Sequence, residues 1–298
     1  MELRQLEYAL MLAEERNFSR AAEKLHLAQP SLSQQMIKLE KELGVQLFER
    51  RPGDIQLTYA GKRFVDQASR ILDQVEQLKQ EMEDLTDNAR GEIVIGTLPI
   101  TGSHLLPAAL PLFQKEFPGI ELVLVEEPTN QLEQLTLKGQ TDISLLSLPL
   151  SEKGLEIIPL LDEPILLAVP PHHPFSLKKE IALRDCKEES FILLKKGQGF
   201  REISLRLCQE AGFEPHVVFE STNIETVQSL VASGLGVGFI PKMVTRTRRS
   251  AHVPIFLPIS DLNPTRTLVI GYKKGRYLSK AAESFIHIMR KVVESGNY

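Results

Sequence analysis

Residues 17–43 read NFSRAAEKLHLAQPSLSQQMIKLEKEL, and this stretch decides the fold at the start of the chain. It carries two short amphipathic helices in twenty-seven residues with a tight break between them. Such a pair is too small to bury a core alone and is a common way to present one helix to a DNA groove. Ser19 is placed to cap the first helix, its hydroxyl accepting from an orphan backbone N–H. Ala21, Ala22 and Leu25 supply that helix's apolar stripe. Pro30 marks the second helix, because proline is favoured at the first helical position and disfavours helix in the residue before it. Leu32, Met36, Leu39 and Leu43 step by four, three and four, one buried face over residues 30–43. The other side shows Ser31, Ser33, Gln34, Gln35 and Lys38. Gln and Ser suit base edges and phosphates without burying a charge, and Lys pairs phosphate. The plainer alternative is a helical hairpin with a solvated polar face, and the flanking sequence separates the two.

Residues 1–16 form a third helix, with Leu3, Leu6, Leu10 and Ala13 on one face. After Leu43 come Gly44, the apolar piece Val45-Gln46-Leu47-Phe48, the segment Glu49-Arg50-Arg51-Pro52-Gly53-Asp54, and Ile55-Gln56-Leu57-Thr58. Strand, Pro-Gly turn and alternating strand predict a β-hairpin wing. Arg50 and Arg51 fall at its tip, where cations reach a phosphate backbone or minor groove. Yet residues 1–58 hold eight Lys and Arg against nine Asp and Glu. DNA attraction must therefore come from how the positive groups are arranged, and steering by one subunit is weak.

The run Asn17-Phe18-(x)2-Ala21-Ala22-(x)2-Leu25-(x)3-Gln29-Pro30-Ser31-Leu32-Ser33-(x)2-Met36-(x)2-Leu39-Glu40-(x)2-Leu43-Gly44-(x)2-Leu47-Phe48-Glu49-Arg50, then Leu57-Thr58-(x)2-Gly61, resembles the N-terminal signature of LysR-type transcriptional regulators. The resemblance implies a winged helix-turn-helix with 30–43 as recognition helix. The candidate DNA-contacting residues are Ser19, Gln29, Pro30, Ser31, Ser33, Gln34, Lys38, Arg50, Arg51 and Thr58.

From Tyr59 the period changes. Phe64, Ala68, Ile71, Val75, Leu78, Met82 and Leu85 step by 4, 3, 4, 3, 4, 3, with neither Pro nor Gly between Lys62 and Arg90. That is a coiled-coil seam, and about 25 helical residues reach nearly 40 Å. A strict two-in-seven stripe is narrower than a core-facing helix needs, which favours pairing with a second copy of the chain. A dimer sets two recognition helices on two half-sites. The family resemblance implies the same, with this helix as linker. Asp84, Asp87, Asn88 and Gly91 read as a hinge. The expected organisation is a DNA-binding domain over 1–58, a linker and dimerisation helix over 59–90, and an effector domain over 91–298.

The chain has 298 residues, 35 Lys and Arg against 39 Asp and Glu, and 42% hydrophobic residues, enough for two or three domains with cores. No signal peptide is evident and no apolar run is long enough to span a bilayer, so a cytoplasmic protein is expected. Cys186 and Cys208 make no disulfide framework. A redox role has one argument for it: Lys187 follows Cys186 and can lower its pKa. Ordinary thiols are the simpler reading.

From Gly91 strands and helices alternate. Strands are expected at 92–96, 120–125, 142–146, 155–160 and 165–169, and helices at 105–117, capped by Ser103, and at 129–138. Past Pro170-Pro171-His172-His173-Pro174 a second set follows, with strands at 191–194, 216–219, 238–240, 253–257 and 267–272 and helices at 201–211, 224–233 and 279–293. This order predicts α/β layers with a parallel sheet. Two lobes are expected, 91–162 with 266–298, and 163–265, crossed by two connections near Asp162-Glu163 and Pro264–Arg266, with a cleft between them and hinge motion as the default. The resemblance extends over essentially the whole chain and implies a periplasmic-binding-protein-like effector domain. In open α/β sheets ligands lie beyond the carboxyl ends of strands, at helix N-termini. The loop 96–103 and the loop 195–201 meet that description, and the next strands end near Thr129 and Ser147. Candidate effector-binding residues are Thr97, Pro99, Thr101, Ser103, Thr129, Ser147, Gln198, Gly199, Phe200 and Arg201. Lys195, Lys196 and Arg201 point to an acidic effector.

No Walker loop, HExxH, GxSxG or strand-following GxGxxG is present, and His172-His173 lack ligating neighbours, so neither an enzyme nor a metal or cofactor site is expected. The function expected is a dimeric or tetrameric transcription factor, bound to promoter DNA, answering a small effector and altering contact with RNA polymerase. A solute-binding protein of the same two-lobe fold is the alternative.

Overall fold

Asn17, rather than Ser19, starts the second helix. In the computed structural model its side chain accepts from the backbone N–H of both Ser19 and Arg20, at 2.9 and 3.1 Å. Ser19 lies inside the first turn, and its amide donates where its hydroxyl was expected to accept. Asparagine is as good a cap as serine, and it stands one residue before the helix. Asn17→Ala is expected to cost about 1 kcal/mol, read as a lowered urea midpoint with unchanged slope.

The structure describes residues 1–51, 54–84, 91–246 and 253–296, with backbone alone for Arg50, Arg51, Glu83 and Arg246. It divides into two compact units, Met1–Thr86 and Asp87–Tyr298. The first contains α1 (Leu3–Glu15), α2 (Phe18–Lys24), α3 (Gln29–Leu43), β1 (Phe48–Arg51), β2 (Asp54–Leu57) and α4 (Tyr59–Asp84). Leu12, Ala21, Ala22, Leu32, Met36 and Leu39 close its core, with Leu47, Phe48 and Ile55 from the wing. The apolar face of α1 is turned from the expected one: Gln5, Leu6, Ala9 and Leu12 are buried and Leu3 is exposed. Gln5 decides this, because its Nε2 donates to Gln35 on α3 at 3.2 Å. Leu43 is exposed, since α3 ends there and Gly44 turns the chain in a left-handed conformation at φ 70°. Glu40 Oε1 accepts from the amides of Leu47 and Phe48, tying helix to wing.

β1 and β2 pair antiparallel, with Arg50 opposite Ile55 and Arg51 opposite Asp54. The two arginines therefore sit in the strand, beside the turn and not at its tip. Pro52 and Gly53 lie outside the described residues, as do Asp87 and Asn88 of the expected hinge. Gly61, in the first turn of α4, has Leu47 O so near that any Cβ would collide with it. Only glycine lets α4 cross the wing so closely.

In the second unit, β3 (Gly91–Thr97) pairs parallel with β4 (Ile120–Glu126) and β5 (Ile143–Ser147). α5 (Pro99–Glu116) and α6 (Thr129–Leu137) connect them. β6 (Leu155–Val169) is one 15-residue strand where two were expected. Proline donates nothing to a ladder, and beside Pro159 the pairing shifts register: Leu268 lies opposite Leu161 and Val269 opposite Pro159, so Leu160 of β6 is the extra residue. β7 (Ser190–Leu194) and β8 (His216–Ser221) pair in parallel, flanked by α7 (Gly199–Glu210) and α8 (Ile224–Ala232). β9 (Gly238–Pro241) and β10 (Ile255–Pro258) both join the second half of β6. β11 (Thr265–Lys273) runs antiparallel to β5 and to the first half of β6, and α9 (Lys280–Ser295) closes the chain. The larger sheet is therefore mixed, in the order β10-β6-β11-β5-β3-β4. The two crossings between lobes are paired strands and not free loops, and one hydrophobic core runs through both lobes.

Where β6 and β11 cross, a buried ion pair joins the two expected connections between the lobes. Arg266 Nε donates to Glu163 Oε2 at 2.6 Å, and both side chains are almost fully buried. Glu163 Oε1 accepts from the amide of Met243, Arg266 Nη2 donates to Met243 Sδ, and the guanidinium lies 5.6 Å from the Phe200 ring centre. Burial pushes the Arg266 pKa down, and Glu163 holds the charge on it.

α5 starts at Pro99, six residues before the expected 105. Thr101 and Ser103 are thus helical, and the Ser103 hydroxyl donates back to the carbonyls of Pro99 and Ile100 instead of capping. Pro99 stands at the first helical position, where proline is favoured, and Pro107 and Pro111 lie inside the helix.

Candidate functional site

In the first unit, α3 carries its apolar face into the core and leaves Gln29, Pro30, Ser31, Gln34 and Lys38 exposed, with Ser33 half-buried. The helix begins at Gln29 with Ala28 as its cap residue, and no side chain caps it. Pro30 has no N–H and the amides of Ser31 and Leu32 both donate to Ala28 O, which leaves the Gln29 amide open to an anion such as a phosphate. Lys38 reaches only a loose surface pair with Glu2 at 3.8 Å, which leaves it available. Gln35 turns toward Gln5 instead. The Thr58 hydroxyl, expected to meet DNA, is engaged within the unit. It donates to Gln46 O at 2.7 Å and accepts from the Gly61 amide at 2.9 Å, so it fastens the wing to the start of α4.

The second unit has a cavity of about 230 Å³ at the ends of β3, β4, β5 and β7, where α5, α6 and α7 begin. Pro99, Thr129, Ser147, Gln198, Gly199 and Phe200 of the expected residues line it, joined by Leu98, Ile100, Glu126, Glu127, Pro128, Leu194, Thr222 and Arg266. A wider chamber of about 560 Å³ adjoins it across Thr129, Ser147, Gln198 and Gly199. The hydroxyls of Thr129 and Ser147 are buried with no hydrogen-bond partner, as is that of Thr101. Such groups cost free energy unless something satisfies them.

Four expected residues lie off the cavity wall. Thr97 is fully buried and its hydroxyl donates to Leu98 O; Thr101 and Ser103 are inside α5. Arg201 is bound at home, with Nη1 at 2.6 Å from Leu194 O and 2.7 Å from Glu220. Lys195 and Lys196 are exposed and do not line it either. The cations of the loop, which suggested an acidic effector, therefore do not line the cavity although Gln198, Gly199 and Phe200 of the same loop do. Sequence reasoning missed Glu126, Glu127 and Arg266. The first two follow the strand-end rule already applied to Thr97 and Ser147; Arg266 arrives from 140 residues later in the chain through β11, which no local signal indicates.

Both cysteines are buried free thiols, each pushed up to about 12 by burial. Around Cys186 the carboxylates of Glu189 and Asp185 add to that effect, against the lowering expected from Lys187. Neither is poised as a thiolate.

An uncapped recognition helix beside a wing and a two-lobed α/β unit with a cleft at its strand ends are the two halves of one known architecture. Residues 3–62 match the family described as bacterial regulatory helix-turn-helix protein, lysR family, and residues 86–294 match the LysR substrate binding domain. The chain belongs to the LysR family of DNA-binding transcriptional regulators. It is 40% identical to the uncharacterised HTH-type transcriptional regulator YcgK of Bacillus subtilis (strain 168), over 98% of this chain and 94% of that one. Among solved structures it resembles a variant of full-length OxyR from Pseudomonas aeruginosa, with TM-score 0.77 and 31% identity over 99% of this chain and 95% of that one. It also resembles full-length CbnR in complex with its target DNA, with TM-score 0.69 and 25% identity over 98% and 100% of the two chains.

Proposed function

We propose that this regulator reads promoter DNA as a dimer or higher oligomer, and that a small effector in the cleft between β3–β5 and β7 sets how its recognition helices are spaced. The observation that carries the effector site is the pair of buried, unpartnered hydroxyls of Thr129 and Ser147 on the wall of a cavity where three helices start. The effector acts by differential affinity for two arrangements of the lobes. Because the crossings are paired strands held by Arg266 and Glu163, the change is a twist or shear of packed elements more than a swing on loops. The resulting re-spacing alters contact with RNA polymerase. The protein works in the cytoplasm, performs no chemistry on its effector and uses no cofactor.

On the DNA, Gln29, Ser31, Ser33 and Gln34 face base edges or phosphates, and Lys38 pairs a phosphate. Pro30 orders the helix start. Arg50 and Arg51 approach the backbone beside the wing turn, and Ser19 adds a phosphate contact from α2. Gln29→Ala is expected to cost roughly 1–3 kcal/mol of discrimination between operator and mismatched operator, measured by competition footprinting across salt concentrations; equal losses on both DNAs would move Gln29 to the phosphate-contacting set. The test of the whole reading is a salt-dependent, sequence-selective footprint upstream of this gene or its neighbours. A protein that protects no such site does not regulate there.

A further inference from the structure

We infer that the effector is a small amino-acid-like zwitterion, its carboxylate held where α5, α6 and α7 begin and its ammonium turned toward Glu126 and Glu127. This rests on the effector reading above and gives its ligand a chemical class.

Two chemically distinct sets of groups line the cavity. In the first, three helices of nine residues or more begin: α5 after Leu98, α6 after Pro128 and α7 after Gln198. None of the three has a side-chain cap, whereas Asn17, Asn223 and Ser279 cap α2, α8 and α9. Open first-turn amides and the positive ends of three dipoles favour an anionic acceptor group. Thr129 and Ser147, residues each 8% exposed, line the same cavity, and their hydroxyls are buried with nothing to bond. A Cβ added to Gly199 at the start of α7 would lie 3.7 Å from Thr129 Oγ1, so that hydroxyl faces α7 across the cleft. Arg266 lines the cavity too, but its charge is answered by Glu163.

The second set is Glu126 and Glu127, whose carboxylates have neither ion-pair nor hydrogen-bond partners among the described residues. Glu126 Oε1 runs beside the first turn of α5, 3.5 Å from where a Cβ on Gly102 would be. A simple carboxylate, and still more a dicarboxylate, would approach two unanswered negative charges at close range. A simple amine would satisfy the glutamates and leave the three helix starts and buried hydroxyls unmet. A ligand with one acid group and one ammonium answers both sets. Leu98, Ile100, Leu194 and Phe200 line the space between, which suits a short apolar side chain. The volume of about 230 Å³ is below that of sites for drug-sized ligands, and a single amino acid is the right scale.

The test uses the full-length chain in thermal-shift and titration assays. The probes are the proteinogenic L-amino acids, each beside its des-amino carboxylic acid and its decarboxylated amine. At least one amino acid is expected to raise the melting temperature well above both of its counterparts. Glu127→Gln should weaken that amino acid about tenfold or more, as loss of a charge-assisted bond does, and should strengthen the matching carboxylic acid. Thr129→Val should weaken both. The inference is overturned if carboxylic acids bind as well as their amino acids, if amines alone bind, or if no amino acid binds. The DNA footprint of the same samples separates this from the underlying reading: a footprint that shifts with a carboxylic acid or an amine keeps the effector-controlled regulator and discards the zwitterion, and a footprint that moves with no ligand that binds discards both.

Discussion

Leu78→Glu is expected to turn the protein into a monomer and to lower its affinity for a two-half-site operator by roughly 10²–10⁴-fold. Leu78 is 58% exposed on α4, with Ile71 and Met82 exposed along the same seam. Three apolar side chains left open at heptad spacing on a 26-residue helix call for a partner helix. A glutamate in the seam is desolvated against its own copy and repels it. The monomer keeps its reading head, because the core of Leu32, Met36 and Leu39 does not involve Leu78. Binding to a single half-site should therefore persist while binding to the paired site collapses. Sedimentation velocity and footprinting on half and full sites check this. A variant that still sediments as the native oligomer would assign the exposed seam to some other contact.

Arg266→Ala is expected to destabilise the second unit by about 3–5 kcal/mol. The substitution leaves Glu163 buried with a charge that, among the described residues, only the Met243 amide answers. Replacing both partners together, Arg266→Met with Glu163→Leu, should recover most of that loss, because apolar groups of similar volume carry no desolvation penalty. Urea denaturation of the three variants measures it. If the double variant is as unstable as the single one, packing around Phe200 and Met243 and not charge burial holds the crossing together. Effector response is a separate readout: Arg266 also lines the cavity, so the double variant can be stable and still poorly responsive.

Several features of this molecule are legible from spacing alone. The recognition helix follows from Leu32, Met36 and Leu39 at helical steps after Pro30, and the linker from Phe64 to Leu78 at heptad steps. Periodicity is a local property, and a face that must be buried announces itself wherever the partner lies. The candidate cavity is half legible for a similar reason: ligands collect at strand ends and helix starts, which places Pro99, Thr129, Ser147, Gln198, Gly199 and Phe200 without coordinates. The cap of α2 was read one polar residue too late, at Ser19 for Asn17, since both residue types cap and only backbone geometry chooses.

The charges were another matter. Lys195, Lys196 and Arg201 are adjacent in sequence to the cavity loop, and nothing local reveals that Arg201 folds back onto Leu194 and Glu220. Nor does anything local bring Arg266 on β11 to Glu163 on β6 and to the cavity wall. Thr58, a plausible phosphate contact by position, has its hydroxyl consumed within the wing. By itself the sequence determined which helices form, the buried face of α3 and which family of regulators the chain joins, because those depend on residues a few positions apart. The tertiary structure alone decided which charged and polar groups are satisfied and which are left over for a ligand, because a hydrogen bond or ion pair joins whatever the folded chain brings within reach, whatever its distance in sequence.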